Sequence, residues 1–139
     1  MERQIRRLLE DVNGAGATRS RVDRYDAVRQ EIAERYVETG VMMNFSLRII
    51  TIQAAGQVPN YEASVAKMFG SEAGQRIHRT GMKAFGLYAN LWDPDGENSP
   101  MEASFTHGYV RSVPATIAAG SSEIQRNVIA TRGLGLPRG

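Results

Sequence analysis

The sequence predicts an all-α protein arranged as an up-down helical bundle. Apolar residues return at spacings of three and four over several long stretches. Proline is absent from 22 to 55, and no run of alternating apolar and polar residues is long enough for a strand. With 139 residues and 42% hydrophobic content, the chain can bury one core, which predicts a single domain over 1–139.

The elements follow in chain order. Met1 to Val12 reads as a short amphipathic helix with Ile5, Leu8, Leu9 and Val12 on one side and Arg and Glu between them. Asn13 to Thr18 supplies the glycines and small residues of a loop, so 1–20 is a partial first helix plus a connection. From about Val22 to Ala55 a long helix is expected, with Tyr25, Val28, Ile32, Tyr36, Met43, Leu47 and Ile50 near helical period. Its second half, Val41 to Ile52, is apolar on more than one side, which predicts contact with several helices or with another subunit.

Gly56 can end that helix, Asn60 can cap the next, and Glu62 falls in its first turn, where the helix dipole favours an anion. The short turn predicts antiparallel neighbours. A helix from Tyr61 to Phe85 then carries the seam Ala66, Phe69, Ala73, Ile77, Thr80 and Ala84, with small residues that allow close approach. Tyr88 to His107, which contains Asp93-Pro94-Asp95-Gly96-Glu97-Asn98-Ser99-Pro100, reads as a surface excursion. A final helix is expected to start near Ser121 and to end before Gly133.

Several function classes fall away. There is no cysteine, hence no disulfide, thiolate nucleophile or cysteine-held metal. No apolar run reaches about 18 residues, so no membrane span is expected, and the chain reads as a cytoplasmic protein without a leader. The net charge is only +2, and acids interleave with bases, as in Glu31-Ile32-Ala33-Glu34-Arg35, so no nucleic-acid stripe is present. Asp93, Asp95 and Glu97 alternate like a calcium loop, but Ser104 stands where the closing glutamate belongs, so no metal site is expected. His78 and His107 are read as structural or surface residues. Gly14-Ala15-Gly16 is a turn and not a dinucleotide fingerprint.

The junction Gly120-Ser121-Ser122-Glu123 combines a glycine with a helix start and hydroxyls, an arrangement that can hold an anion or an oxyanion. Read from the residues alone, a plain capped helix is favoured.

The run Thr116-Ile117-Ala118-Ala119-Gly120-Ser121-Ser122-Glu123-Ile124-Gln125-Arg126-Asn127-Val128-Ile129-Ala130, followed by Arg132-Gly133-Leu134-Gly135-Leu136-Pro137-Arg138, resembles the terminal signature of the acyl-CoA dehydrogenases. Asn60 to Glu72 is similar to the penultimate helix of the same family. The resemblance spans the chain from about Val22 to its end and implies the carboxyl-terminal helical domain of a FAD-dependent enzyme that oxidises acyl-CoA thioesters across Cα and Cβ. It further implies that Gly120, Ser121 and Glu123 contact the flavin, and that the Ala119 N–H donates to the thioester carbonyl.

The resemblance also marks what this sequence lacks. Many members carry a catalytic glutamate immediately before the motif's glycine, and Ala119 stands there, so no catalytic residue is assigned. Members with the base on the domain's first helix place it upstream of most of this chain. Glu2, the nearest candidate, sits beside Met1 at a fraying end and is not named catalytic. The family's flavin-gripping arginine, aromatic-glycine pair and glutamine have no counterpart from Asn13 to Asp26, and its Gln-x-x-Gly-Gly segment is reduced to Lys83-Ala84-Phe85-Gly86-Leu87, which leaves Gly86 as a cofactor contact. The expectation is a domain inactive alone that acts with FAD and acyl-CoA inside a homo- or hetero-oligomer. A non-catalytic oligomerisation module is the alternative.

Overall fold

A computed structural model describes residues 1–14 and 26–138, the side chain of Asp26 excepted. Five α-helices form the described part: α1 (Glu2–Asn13), α2 (Asp26–Ala54), α3 (Tyr61–Phe85), α4 (Ser104–Ala115) and α5 (Ser122–Val128). A turn of π-helix, Ile129–Gly133, continues α5. No strand occurs among the described residues. Val22, Tyr25 and most of the loop expected from Asn13 to Thr18 lie outside them.

The α2–α3 pair is the frame. Gly56, in the left-handed region at φ +73°, ends α2, and the Gln57 N–H closes the end onto Ile52 O at 3.1 Å. Contacts between the two helices then run in opposite directions. Glu31 on α2 meets Thr80 and Lys83, Glu38 meets Arg76, Met42 packs beside Gly70, and Phe45 meets Phe69 edge-on at 5.6 Å. Falling α3 numbers against rising α2 numbers make the helices antiparallel, as the short turn requires. Asn60 precedes α3 without capping it through its side chain. Its amide oxygen accepts from Arg132 at 3.0 Å, while its own N–H donates to Glu62.

The core sits at one end of this frame. Ile5 and Leu8 are fully buried, with Val12, against Val28 and Ile32 of α2 and Ile77, Ala84 and Phe85 of α3. Each large side chain so buried contributes about 1.5–3 kcal/mol. The other half of α2 receives no such cover: Met43, Leu47 and Ile50 are more than half exposed. The several-sided apolar character of that half is real, but within this chain only one side of it is used.

Residues 86–115 depart from the expected surface excursion. A 3-10 turn, Gly86–Asn90, buries Ala89, and Pro100 and Ala103 are buried before α4 begins. The helix α4 was not expected. Its apolar period is short, and its start follows Met101, Glu102 and Ala103 in left-handed backbone, a conformation that composition does not advertise. It is held by fit: a Cβ on Gly81 would overlap the Phe105 ring, and one on Gly108 would overlap His78. Thr106 adds a buried hydrogen bond to Ala89 O. The Asp93–Ser99 segment is a polar turn in which Asp93 Oδ1 accepts from Asp95 N–H at 3.1 Å.

His78 is enclosed where α1, α3 and α4 meet. Its Nδ1–H donates to Gly74 O at 2.8 Å, and Nε2 accepts from the Gln4 amide at 2.9 Å. Burial holds its pKa below the ordinary imidazole value. The unfolded chain therefore takes up a proton near pH ~6.5 that the folded chain resists, so stability falls as pH drops through that value and levels off below the folded pKa. His78→Gln should remove this part of the slope between about pH 7 and pH 5, read as the difference from wild type in urea midpoints across that range. Gly81→Ala should cost about 1–3 kcal/mol by forcing Phe105 from its seat; an unchanged midpoint would contradict the close α3–α4 contact.

Candidate functional site

The site is built where α4 stops. Pro114 stands in its last turn, and the chain tightens as the Ile117 and Ala118 N–H groups both reach Pro114 O, at 3.0 and 2.9 Å. Ala119 then takes φ +56° and Gly120 φ +92°, two successive left-handed residues that reverse the chain into α5. The glycine is required, since a Cβ there would stand 2.7 Å from Gln125 Nε2. The alanine tolerates its conformation at a cost of about 1–2 kcal/mol.

Two side chains hold this reversal from within. Lys67 on α3 donates to Gly120 O at 2.6 Å and reaches Thr116 O at 3.4 Å. Gln125, buried on α5, donates to Ala119 O at 3.0 Å. Their targets are carbonyls, which leaves the turn's outward N–H groups to other partners. Sequence reading did not single out Lys67 or Gln125 for this role. The signal available was a lysine in the middle of an otherwise apolar and small-residue helix.

Ser121 starts α5, and its Oγ accepts from the Ile124 N–H at 3.5 Å. The Ser121 hydroxyl, then the residue's own backbone N–H, hold the exposed Glu123 carboxyl below the usual carboxylate range. Ser122 is only 8% exposed, and its Oγ has no hydrogen-bond partner. A buried hydroxyl left unpaired costs about 1–3 kcal/mol. These residues line a cleft of about 380 Å³, together with Thr116, Glu72, Arg76, Arg79 and Arg126.

The cleft's charges are tied into the frame. Arg126 pairs with Glu72 at 2.7 Å, Arg76 lies between Glu72 (3.9 Å) and Glu38 (2.9 Å), and Arg35 reaches Glu38 at 3.0 Å and Glu34 at 2.7 Å. The Arg35–Glu38 contact is a charge contact without hydrogen-bond alignment, since Arg35 Nε and Glu38 Oε2 have no hydrogen-bond partner. Three arginines against two glutamates leave the cleft one positive charge in surplus. With an unpaired hydroxyl added, its chemistry fits an anionic group such as a phosphate.

The expected site residues are brought together in part. Gly120, Ser121 and Glu123 form one wall of the cleft. Gly86 caps the far end of α3, 14 residues beyond Glu72, or about 21 Å along the helix. Ala119 presents a methyl group where a carboxylate would act as base. Glu2 is engaged by Arg6 at 2.6 Å on the exposed side of α1. His107 accepts or donates at Trp92 O, 2.8 Å away, and takes no part in the cleft. Among the described residues no group of three or more His, Cys, Asp or Glu is placed to hold a metal ion, and no helix is long and apolar enough to cross a membrane.

A helical domain with this terminal turn has counterparts. Residues 1–134 match the family model of the acyl-CoA dehydrogenase C-terminal domain, and the chain belongs to that family. It is 29% identical to acyl-CoA dehydrogenase FadE26 of Mycobacterium tuberculosis over 145 aligned positions, covering 98% of this chain and 34% of that protein. Two solved structures share the fold: the Tcur3481-Tcur3483 steroid ACAD, at TM-score 0.84 and 23% identity, and the ChsE4-ChsE5 complex from Mycobacterium tuberculosis, at TM-score 0.83 and 22% identity. Each match covers 99% of this chain and 35% and 37% of the respective structure's chain. The chain thus spans about a third of the length of its relatives.

Lys67→Met, which keeps the stem and removes the donor, should lower stability by about 1–3 kcal/mol by leaving Gly120 O without its charged partner. Urea denaturation checks this; a variant as stable as wild type would show that the turn stands without Lys67.

Proposed function

We propose that the chain serves as the carboxyl-terminal helical domain of a FAD-dependent acyl-CoA dehydrogenase, inactive alone and completed by protein outside this sequence. The observation that carries this is the cleft beside the Ala119–Ser121 reversal, with its free backbone donors, unpaired Ser122 hydroxyl and arginine surplus. Flavin bound in the completed enzyme would supply the oxidant that takes a hydride from the thioester's Cβ. On this reading Gly120, Ser121 and Glu123 bind the cofactor, and the Ala119 N–H donates to the thioester carbonyl, where it would acidify the α proton. Gly86, remote from the cleft, would serve a flavin held mainly by a neighbouring subunit.

The α proton must leave to a carboxylate, and Ala119 cannot accept it. The base therefore comes from elsewhere in the assembly. The heteromeric complexes among the fold neighbours support an oligomer with unlike subunits. The second reading, an assembly module without chemistry, is favoured by the apolar face that α2 leaves uncovered.

Purification with and without a co-expressed candidate partner separates the two. Yellow flavin absorbance, bleached by an acyl-CoA only in the complex, is the expected result, and straight-chain and steroid thioesters are the two probes. A colourless, stable oligomer in both preparations would leave only the assembly reading.

A further inference from the structure

The uncovered face of α2 has an order that its composition hides. Tyr36, Gly40, Met43, Leu47, Ile50 and Ala54 succeed one another at steps of four, three, four, three and four, and every one is exposed. This is the spacing of a coiled-coil seam. It extends about 27 Å along the solvent side of the helix. Such a seam on one chain lacks the helix that would fill its holes.

Gly40 is the second observation. A glycine inside a helix costs about 0.5–1 kcal/mol relative to alanine. Nothing in this chain calls for it, because a Cβ there would meet no atom within 4 Å. Its smallness is useful only to something that approaches from outside.

We infer that this seam pairs with the same seam of a second copy, antiparallel, about a two-fold axis at the level of Phe45. That register sets Tyr36 against Ala54 of the second copy, Gly40 against Ile50 and Met43 against Leu47. Large meets small at both ends, and two medium side chains meet at the centre, so every layer holds a similar volume. A parallel pair would instead stack Gly40 on Gly40 and Tyr36 on Tyr36, leaving one layer hollow and another crowded. A two-fold contact requires a patch complementary to itself, and this one is. Charge does not oppose it. Val37, Asn44 and Thr51, which flank the seam at heptad spacing, are neutral, and Arg48 is the only charged residue from Thr39 to Ala54.

The contact stands whether or not the chain ever meets flavin, and its test needs none. The absence of cysteine makes introduced thiols unique. Equal amounts of the M43C and L47C variants, mixed and oxidised, should give a disulfide-linked dimer at least tenfold faster than either variant alone. By sedimentation the wild-type chain should be a dimer. Leu47→Glu should be a monomer of unchanged helical circular dichroism, since its side chain lies outside the core. Gly40→Leu should raise helicity while weakening association at least tenfold, a divergence that a purely structural role would not produce. Faster linkage in M43C alone would overturn the antiparallel register. A wild-type monomer that associates only with an unlike subunit would overturn the second copy as the occupant.

Discussion

The close approach of α3 and α4 is the contact on which the described arrangement depends. Gly81 lies under Phe105 and Gly108 under His78, so two absent side chains on opposite helices admit two rings. That seat fixes the position of α4, a helix with little apolar period of its own. The position of α4 in turn decides where Pro114 ends it and where Ala119 and Gly120 reverse the chain. The cleft beside Ser121 is thus located by packing that takes place a full helix length away. Close packing transmits position in this way because the interior has little free volume to absorb a shift.

A second kind of coupling crosses the helices. Glu34, Arg35, Glu38, Arg76, Glu72, Arg126 and Glu123 alternate in sign from α2 through α3 to α5. A single exposed pair in such a series contributes about 0–1 kcal/mol. The half-buried members, Glu38 and Arg76, have more to lose, because removing either leaves the other's charge without its partner in a partly desolvated place. The network explains how short α5, with seven residues, keeps its register against the frame.

Sequence reading reached what periodicity and end signals can express. The bounds Tyr61 and Phe85 of α3, the stop at Gly56, the start at Ser121 and the buried Ile5, Leu8 and Val12 all follow from local chemistry. It missed α4 because that helix is specified by its neighbours: its start is preceded by left-handed backbone at Met101, Glu102 and Ala103, which none of these residue types signals. The wall of Gly120, Ser121 and Glu123 was legible through the terminal motif. The arginines behind it were not, since Arg76 and Arg126 come from different helices and look like ordinary surface charge in one dimension. Lys67 and Gln125 were hidden for the same reason, as their partners are carbonyls 53 and 6 residues away.

Ala119 separates affinity from rate. A backbone N–H that greets a carbonyl stabilises a bound ligand much as it stabilises anything of the same shape, whereas a carboxylate at that position would also exchange a proton and so act on the barrier. With a methyl group in its place, the reversal retains the geometry of recognition and gives up control over turnover. In an assembly, occupancy of this turn and the speed of reaction would then be set by different chains, and each could drift in evolution without the other.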